Sequence, residues 1–194
     1  MLFDATGLHA YHPETGIRQW SYDWGDGSDE QVNVCQPAAI NEQEILISSG
    51  YGRGSALIDV VESDHGIWSV KTQWKSKRLR SKFASIVIKD GFAYGLDEGI
   101  LACIDLSNGE RRWKRGRLGH GQLLLCNDAL IIQCESGEIA LVRADPDTYQ
   151  LIRQIKCFND RSWNYPILVG NRLLCRNDRE AVCFEITNRE SGER

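Results

Sequence analysis

The chain has 194 residues, of which 42% are hydrophobic and 26% are charged, and its formal net charge is −4. This composition is typical of a globular protein and excludes a disordered chain. The negative charge argues against bulk electrostatic binding of nucleic acid, and the apolar runs are too short to span a bilayer.

The first residues, MLFDATGLHAYH, lack a basic segment followed by a long apolar stretch, and they therefore predict no signal peptide. The seven cysteines form no C-x-x-C pair, and most fall within apolar runs. We expect them to be small buried side chains, which favours a reducing compartment. The alternative, a disulfide framework in an exported protein, would leave one thiol unpaired.

Short apolar segments bounded by glycine, asparagine or aspartate follow one another along the chain. Four of them have the pattern strand, tight turn, strand: residues 44–50, 85–95, 121–134 and 166–175. Lys89-Asp90-Gly91 and Asn127-Asp128 are hairpin signals between such runs. Because no segment has the period of an amphipathic helix, the sequence predicts an all-β protein.

One type of strand recurs at regular intervals and sets the predicted architecture. It begins with a small or apolar residue, and its last position falls 38 to 47 residues after the previous one, at His12, Asp59, Asp105, Arg143 and Glu185. A period of about 40 to 47 residues is typical of propeller blades. We predict a β-propeller of four-stranded antiparallel blades, about four in all, which forms an incomplete ring or half of a closed one. Residues 1–187 would be one domain and residues 188–194 a polar tail.

An eleven-residue motif occurs twice, as AYHPETGIRQW (10–20) and CIDLSNGERRW (103–113). Each copy has a small residue, a turn with glycine, and a closing tryptophan. Blades pack face to face, so each gap needs a large side chain and a small one that receives it. We predict that these residues pack neighbouring blades together: Ala10, Gly16, Trp20, Trp74, Cys103, Asp105, Gly109 and Trp113.

The motif A-x-D-x-x-T-G-x-x-x-W resembles the tryptophan-docking motif of the quinoprotein-type repeat. Residues 85–113 match the blade of that repeat nearly end to end, and residues 119–152 and 162–186 resemble the last blades of a bacterial group. That group has quinoprotein-like (PQQ-like) β-propeller repeats and is akin to the outer-membrane assembly lipoprotein. The resemblance implies a propeller fold and a periplasmic location. The second copy departs from the repeat by a longer turn, and the fourth lacks the closing tryptophan.

The number of blades leaves two interpretations open. Propellers of this family usually have seven or eight blades, whereas this chain has about three complete blades and partial ones at both ends. It would then be the C-terminal part of a longer propeller. Alternatively, two copies would join as a homodimer and close the ring, which would cover sheet edges that are otherwise exposed.

The resemblance also bears on chemistry. Quinoprotein dehydrogenases bind pyrroloquinoline quinone (PQQ) over Ca²⁺, beside a catalytic aspartate and a disulfide between adjacent cysteines. No two cysteines are adjacent in this chain, and no residue can be assigned to the calcium ligands or to catalysis. We therefore predict a non-catalytic scaffold without cofactor or metal, which binds a protein or peptide. The alternative is a fragment of a PQQ-dependent oxidoreductase.

Two surfaces are candidates for binding. Segments that follow the closing tryptophans should emerge on one face of a propeller, where they would form a basic sector: Lys75, Lys77, Arg78, Arg80, Lys82, Lys114, Arg115 and Arg117. The corresponding segment after Trp20 is acidic (21–30), which suggests a partner surface with a polarity. Alternatively, these segments are ordinary solvated loops whose opposite charges partly neutralise one another, and they bind no partner.

The second candidate is the funnel at the start of the innermost strands. By register it contains Gln36, Lys82, His120, Trp163, Asn164 and Tyr165. The exposed aromatic pair and the amide in SWNYP would hold a small ligand or a peptide. Alternatively, these side chains pack two blades together in place of the tryptophan that the fourth copy lacks.

Overall fold

The computed structural model of the chain describes residues 1–25 and 32–186, which form eighteen β-strands and contain no helix. Residues 26–30 of the predicted acidic segment (21–30) and the predicted tail (188–194) lie outside the described residues. The predicted all-β class is confirmed.

The strands form five antiparallel sheets, each built from strands that are consecutive in the chain. Sheet 1 contains β1 (Leu2–Phe3), β2 (Gly7–Tyr11) and β3 (Arg18–Asp23). Sheet 2 contains β4 (Ala38–Ala39), β5 (Glu44–Ser49), β6 (Gly54–Glu62) and β7 (Trp68–Ser76). Sheet 3 contains β8 (Val87–Lys89), β9 (Phe92–Asp97), β10 (Ile100–Asp105) and β11 (Arg111–Arg117). Sheet 4 contains β12 (Gln122–Cys126), β13 (Ala129–Gln133), β14 (Glu138–Arg143) and β15 (Leu151–Lys156). Sheet 5 contains β16 (Ile167–Val169), β17 (Arg172–Arg176) and β18 (Ala181–Glu185).

The hairpin between β8 and β9 shows how the turn residues fix the strand register. Lys89 pairs with Phe92, so that only Asp90 and Gly91 form the turn. Their φ angles are +48° and +81°, as a type I′ turn requires. Aspartate tolerates this left-handed conformation and glycine adopts it without a steric cost, which explains why the Asp-Gly pair sets this turn.

The first strands of the sheets lie innermost. The hydroxyl groups of Ser85, before β8, and Tyr165, before β16, are 2.6 Å apart and therefore join sheets 3 and 5. Between them, Gln122 at the start of β12 accepts a hydrogen bond from the Ser85 amide (3.3 Å). Sheets that are not neighbours in the chain touch here because their first strands converge on a common axis. This is the arrangement of propeller blades, and the predicted β-propeller is confirmed. Within the described residues, no hydrogen bond or ion pair links sheet 1 to sheet 5, and the array is open.

The hydrophobic core lies between the sheets. The cluster between sheets 2 and 3 joins Leu46 and Leu57 to Ala93, Ala102 and Ile104. Separate clusters fill the gaps between sheets 1 and 2, 3 and 4, and 4 and 5. Apolar contacts between neighbouring sheets therefore hold the array together.

Tryptophan side chains cross two of these gaps and end on a turn of the next sheet. The Trp74 indole N–H donates to the Leu106 carbonyl (2.7 Å), in the turn between β10 and β11. The Trp113 indole N–H donates to the Asp145 carbonyl (2.8 Å), at the corresponding place in sheet 4. Trp20 is buried in the cluster between sheets 1 and 2. Each tryptophan thus lies at the junction of two neighbouring sheets.

The other motif residues surround these contacts. Ala10 pairs with Trp20 and Cys103 with Trp113 across adjacent strands, so that a small side chain lies beside each indole. Asp105 accepts hydrogen bonds from the backbone and the hydroxyl of Ser107, which hold its turn and lower the pKa of its carboxyl group.

Sheet 4 lacks the closing tryptophan, and a different side chain fills the gap to sheet 5. Arg153 pairs with Leu141, at the position where sheets 1, 2 and 3 have a tryptophan, and its side chain is exposed. The gap to sheet 5 is filled instead by Phe158, which is almost fully buried against Leu173 and Cys175. The predicted substitute, the aromatic pair in SWNYP, does not fill this gap, because Trp163 and Tyr165 are exposed.

The turn glycines provide a matched test of the tryptophan contact. Gly109 and Gly16 have φ angles of +72° and +70°, so that alanine at either position should cost about 1 kcal/mol in backbone strain. A Cβ at Gly109 would also lie 2.6 Å from the Trp74 ring, whereas a Cβ at Gly16 meets open space. We expect Gly109→Ala to lower the free energy of unfolding by about 1–3 kcal/mol more than Gly16→Ala in urea denaturation. Equal losses would contradict the packing of Trp74 on this turn.

Candidate functional site

One end of the sheets carries most of the candidate binding residues: Lys77, Arg78, Arg80, Lys82, His120, Trp163, Asn164 and Tyr165. Lys114, Arg115 and Arg117 lie on the adjoining strand β11, Lys75 lies on β7, and Gln36 precedes β4. At this end, each chain segment that leaves an outermost strand crosses to the next sheet, and it contacts the turn between the second and third strands. We call this surface the crossing face and define it by the crossing segments 77–86, 118–121 and 157–166 and the turns 50–53, 98–99, 134–137 and 177–180. Backbone hydrogen bonds join the two sets: Glu98 N to Arg80 O, Glu135 N to Leu118 O, and Ser162 N to Glu135 O.

Glu135 organises the part of the crossing face nearest sheet 5. One carboxylate oxygen accepts the backbone N–H of His120 (3.0 Å), and the other accepts the indole N–H of Trp163 (3.0 Å). Burial of the carboxyl group opposes its ionisation, but these two hydrogen bonds outweigh burial and lower the pKa of Glu135. The ionised Glu135 therefore fixes two crossing segments at once.

Three aromatic rings lie together above Glu135. Phe83 is 5.7 Å, between ring centroids, from both His120 and Trp163. The guanidinium group of Arg161 stacks on Trp163 at 4.9 Å. Trp163 nevertheless keeps 48% of its surface exposed. The structure thus holds a large aromatic side chain in one orientation while it remains accessible to a binding partner.

An open cleft of about 450 Å³ lies beside Trp163. It is lined by side chains of both charges together with an indole and an amide: Asp160, Arg161, Trp163, Asn164, Asp178 and Arg179. Asp160 and Arg179 form an ion pair across it (3.1 Å). The cleft therefore offers both charged and apolar contacts.

The other funnel candidates do not all join this group. Tyr165 is 44% exposed and held by its hydrogen bond to Ser85. Lys82 pairs with Glu98 (3.4 Å), and its ammonium group lies over the Tyr51 ring. Gln36 is exposed, and among the described residues no hydrogen bond or ring contact joins it to the other predicted funnel residues. The structure brings together His120, Trp163 and Asn164, with Tyr165 beside them at the inner ends of the strands.

Asp97 lies two residues before the turn glycine of sheet 3, as Glu135 does in sheet 4, but its surroundings differ. Its carboxylate is fully buried and contacts three cationic groups: Arg80 (2.8 Å), Arg111 (2.8 Å) and Lys114 (2.5 Å). Burial raises the pKa of an aspartate, but the hydrogen bonds from Arg80 and Lys114 prevail and lower the pKa of Asp97. This cluster ties the crossing segment 77–86 to sheet 3.

The predicted basic sector is therefore divided between structural and accessible cations. Arg80 and Lys114 are committed to Asp97, and Lys82 to Glu98. Arg78 lies 3.8 Å from Glu110, and Lys75 lies over the rings of Tyr22 and Trp24. Lys77, Arg115 and Arg117 are exposed, and no ion pair engages them among the described residues. The sector's role in binding stays a prediction.

Sequence reasoning missed Asp97, Glu135, Phe83 and Arg161. One signal was present in the repeat: Asp97-Glu98-Gly99 and Glu135-Ser136-Gly137 place an acid two residues before a turn glycine in successive copies. Comparison of the copies at this position would have singled out both carboxylates. Phe83 and Arg161 lie in crossing segments, which share no such pattern.

Four of the seven cysteine thiols are buried as expected, whereas Cys126 and Cys157 are partly buried and Cys183 is exposed. All seven are free, and burial raises the pKa of Cys35, Cys103, Cys134 and Cys175 to about 12. A protonated, buried thiol is a poor nucleophile. Within the described part of the chain, no group of three or more histidine, cysteine, aspartate or glutamate side chains is arranged to hold a metal ion. None of the described residues forms an apolar helix long enough to cross a bilayer.

Comparison with known proteins places the chain in a family. The family model described as "Outer membrane protein assembly factor BamB" matches residues 1–115. The chain belongs to this family. The predicted membership of the PQQ-like β-propeller repeat proteins is thereby confirmed. A search of curated proteins finds no match.

Several solved structures are similar to this BamB-family chain. The computationally designed Ika8 protein matches with a TM-score of 0.64 and 12% identity, over 95% of this chain and 54% of Ika8. The designed Ika4 protein matches with a TM-score of 0.59 and 10% identity, over 84% of this chain and 95% of Ika4. BamB from Moraxella catarrhalis has a TM-score of 0.49 and 13% identity, over 87% of this chain and 63% of that protein. The chain spans about half the length of Ika8. At these identities the likeness concerns the fold alone.

The buried Asp97 cluster leads to a stability prediction. Asp97→Asn removes the counter-charge of three partly buried cations, and we expect the free energy of unfolding to fall by about 3 kcal/mol. Asp147→Asn is the matched control, since Asp147 also pairs with an arginine (Arg112, 2.7 Å) but is exposed. The control should lose less than about 1 kcal/mol in the same urea denaturation.

The effect of Asp97→Asn should also depend on pH. The pKa of Asp97 is lower in the folded than in the unfolded protein, so that its contribution is complete above the ordinary aspartate pKa of about 3.9. The contribution is lost as the pH falls through the folded-state pKa. We therefore expect the difference in unfolding free energy between wild type and variant to be constant from neutral pH to about pH 5 and to shrink below about pH 4. A difference that stays constant into strong acid would contradict the ion cluster.

Proposed function

We propose that the chain is a non-catalytic binding scaffold and that its crossing face binds a protein or a peptide. One observation carries the proposal: Trp163 is about half exposed, yet Glu135 and Arg161 hold it in place. An unsupported surface tryptophan would turn freely and lose that freedom on binding. A fixed one avoids this entropic cost, and exposed tryptophans are frequent binding hot spots.

The surroundings of Trp163 support a polypeptide ligand. The adjacent cleft presents negative carboxylates and positive guanidinium groups, and these match the mixed charges of a protein surface. The accessible cations Lys77, in the crossing segment 77–86, and Arg115 and Arg117, on the adjoining strand β11, favour a partner with an acidic segment. The family description names an assembly factor, which is consistent with a protein partner.

The alternative function is that of a fragment of a PQQ-dependent oxidoreductase. Polar groups at the inner ends of the strands offer a test of fit to a quinone or a calcium ion. The Gln122 amide accepts from the Ser85 backbone and donates to the Phe83 carbonyl (3.1 Å), while the hydroxyl groups of Ser85 and Tyr165 bond to each other. These groups satisfy one another and do not form a ligand set, so we propose that the chain works without PQQ or Ca²⁺.

We further propose that the chain acts outside the cytoplasm. The support is the family description, which refers to the outer membrane. Buried thiols with raised pKa values do not oppose this location, because they are shielded from oxidants.

The binding proposal can be tested by affinity capture with quantitative mass spectrometry. We expect proteins retained by the wild-type chain to be depleted about tenfold on the Trp163→Ala variant. Ile152→Ala is the matched control, because Ile152 is a similarly exposed apolar side chain on β15, away from the crossing face. Equal capture by all three chains would contradict the proposal.

The basic sector needs a separate variant. Reversal of the accessible cations (Lys77→Glu, Arg115→Glu, Arg117→Glu) should weaken capture and reduce its sensitivity to salt. Reversal of the exposed cations Arg143, Arg153 and Arg172 provides a control with the same change of charge. Dye reduction with an alcohol or sugar substrate, after addition of PQQ and Ca²⁺, would instead favour the oxidoreductase.

A further inference from the structure

A second exposed aromatic side chain on the crossing face, Tyr51, is held by the same kinds of contact as Trp163. Tyr51 lies in the turn between β5 and β6, and 60% of its surface is exposed. Its backbone N–H donates to one carboxylate oxygen of Glu98 (3.1 Å), and the other oxygen of Glu98 lies 3.4 Å from the Lys82 ammonium group. That ammonium group lies over the Tyr51 ring, 5.0 Å from its centroid. An aromatic residue, a cation and a carboxylate thus all contact one another.

Trp163 belongs to a corresponding set. Its indole N–H donates to a carboxylate oxygen of Glu135, and the same oxygen lies 3.8 Å from the Arg161 guanidinium group, which stacks on the indole. In both sets the carboxylate lies in a turn between a second and a third strand, and the cation lies in a crossing segment. We call the two sets the Tyr51 triad (Tyr51, Lys82, Glu98) and the Trp163 triad (Trp163, Arg161, Glu135).

Two consecutive residues join the triads. Lys82 belongs to the Tyr51 triad, and the next residue, Phe83, contacts Trp163 with 5.7 Å between ring centroids. The turn that carries Tyr51 lies directly on the same crossing segment, because a Cβ at Gly50 would be 3.2 Å from the Lys82 Cα. The two triads therefore contact one crossing segment at neighbouring residues and form a continuous surface.

The backbone conformation at Tyr51 disfavours an aromatic residue. Its φ angle is +58°, in the left-handed region, and the next residue, Gly52, has a φ angle of +79°. A turn of this kind favours asparagine, aspartate or glycine at its first position, and a bulky side chain there is strained. Because the ring is mostly exposed, it buries little apolar surface in return. Strain that packing does not offset is typical of functional positions.

We infer that the two triads together bind one extended segment of a partner protein, which places a large apolar side chain on each ring. The inference rests on the proposed function of the crossing face and adds Tyr51 as a second anchor. Exposed tyrosine and tryptophan rings are frequent hot spots of protein interfaces. An extended chain can reach both rings, because it rises about 3.3 Å per residue and presents every second side chain on one face.

The charges of the triads favour an apolar contact over an anionic one. In each triad the cation faces a carboxylate, so that the pair carries no net charge that would select a phosphate or an acidic side chain. The rings remain for a ligand to contact, and apolar side chains pack well on them. Two such contacts made by one chain bind more tightly than either contact alone.

Selection of random peptides on the full chain tests the inference. The probe is a phage-displayed library of linear peptides of about twelve residues, which span about 40 Å when extended. The library is first depleted on the Trp163→Ala chain and is then selected on the wild-type chain, so that the retained peptides depend on Trp163. We expect these peptides to share large apolar side chains at two separate positions.

Variants of Tyr51 then show whether the second anchor exists. The strongest peptide is synthesised and titrated into each chain by calorimetry. Tyr51→Asn removes the ring but suits the left-handed backbone, and we expect it to raise the Kd about tenfold without lowering the midpoint of urea denaturation. Tyr51→Phe keeps the ring and should bind as the wild type does. Tyr11→Ala is the matched control, because Tyr11 is also exposed (39%) but lies on β2, outside the crossing face.

The outcomes separate the inference from the proposed function. Peptides that bind the Tyr51→Asn chain as tightly as the wild type would overturn the second anchor and leave the proposed function in place. If no peptide depends on Trp163, the inference fails, whereas depletion of captured proteins on the Trp163→Ala chain would still support the proposed function. Weaker binding by Tyr51→Asn with a lower urea midpoint, or equal weakening by Tyr11→Ala, would show that the ring acts through the fold and would also overturn the inference.

Discussion

The fold depends on an indole that crosses from one sheet to the next. Trp74 and Trp113 each fill an apolar gap and also donate a hydrogen bond to a turn carbonyl of the following sheet. The apolar contact alone would allow the sheets to slide, whereas the directed N–H fixes their spacing and their angle. Because the crossing segments 77–86 and 118–121 leave from the strands that carry these tryptophans, the two indoles also help to determine where this part of the crossing face forms.

Two carboxylates that lie two residues before a turn glycine, Asp97 and Glu135, have different roles. Asp97 and Glu135 both precede a turn glycine and both accept the backbone N–H of the incoming crossing segment. Asp97 is buried under Arg80, Arg111 and Lys114, which makes it a structural anchor. Glu135 is only partly covered and directs its second oxygen to Trp163, which keeps an aromatic side chain exposed in a fixed orientation. Carboxylates that precede a turn glycine thus anchor a crossing segment in sheet 3 and hold an exposed tryptophan in sheet 4.

The repeat explains what could be predicted from the sequence. The spacing of the strands and the motif that occurs twice were sufficient to predict an all-β propeller, because both arise from contacts that recur in each blade. The sequence did not predict which basic residues form ion pairs. Arg80 and Lys114 contact Asp97 only because the chain crosses between sheets and brings them together. The role of Phe158 was not predictable for a similar reason, and for Trp163 the sequence left ligand contact and packing between blades as alternatives. Both lie in one crossing segment, and only the three-dimensional path places the first between sheets and the second on the surface.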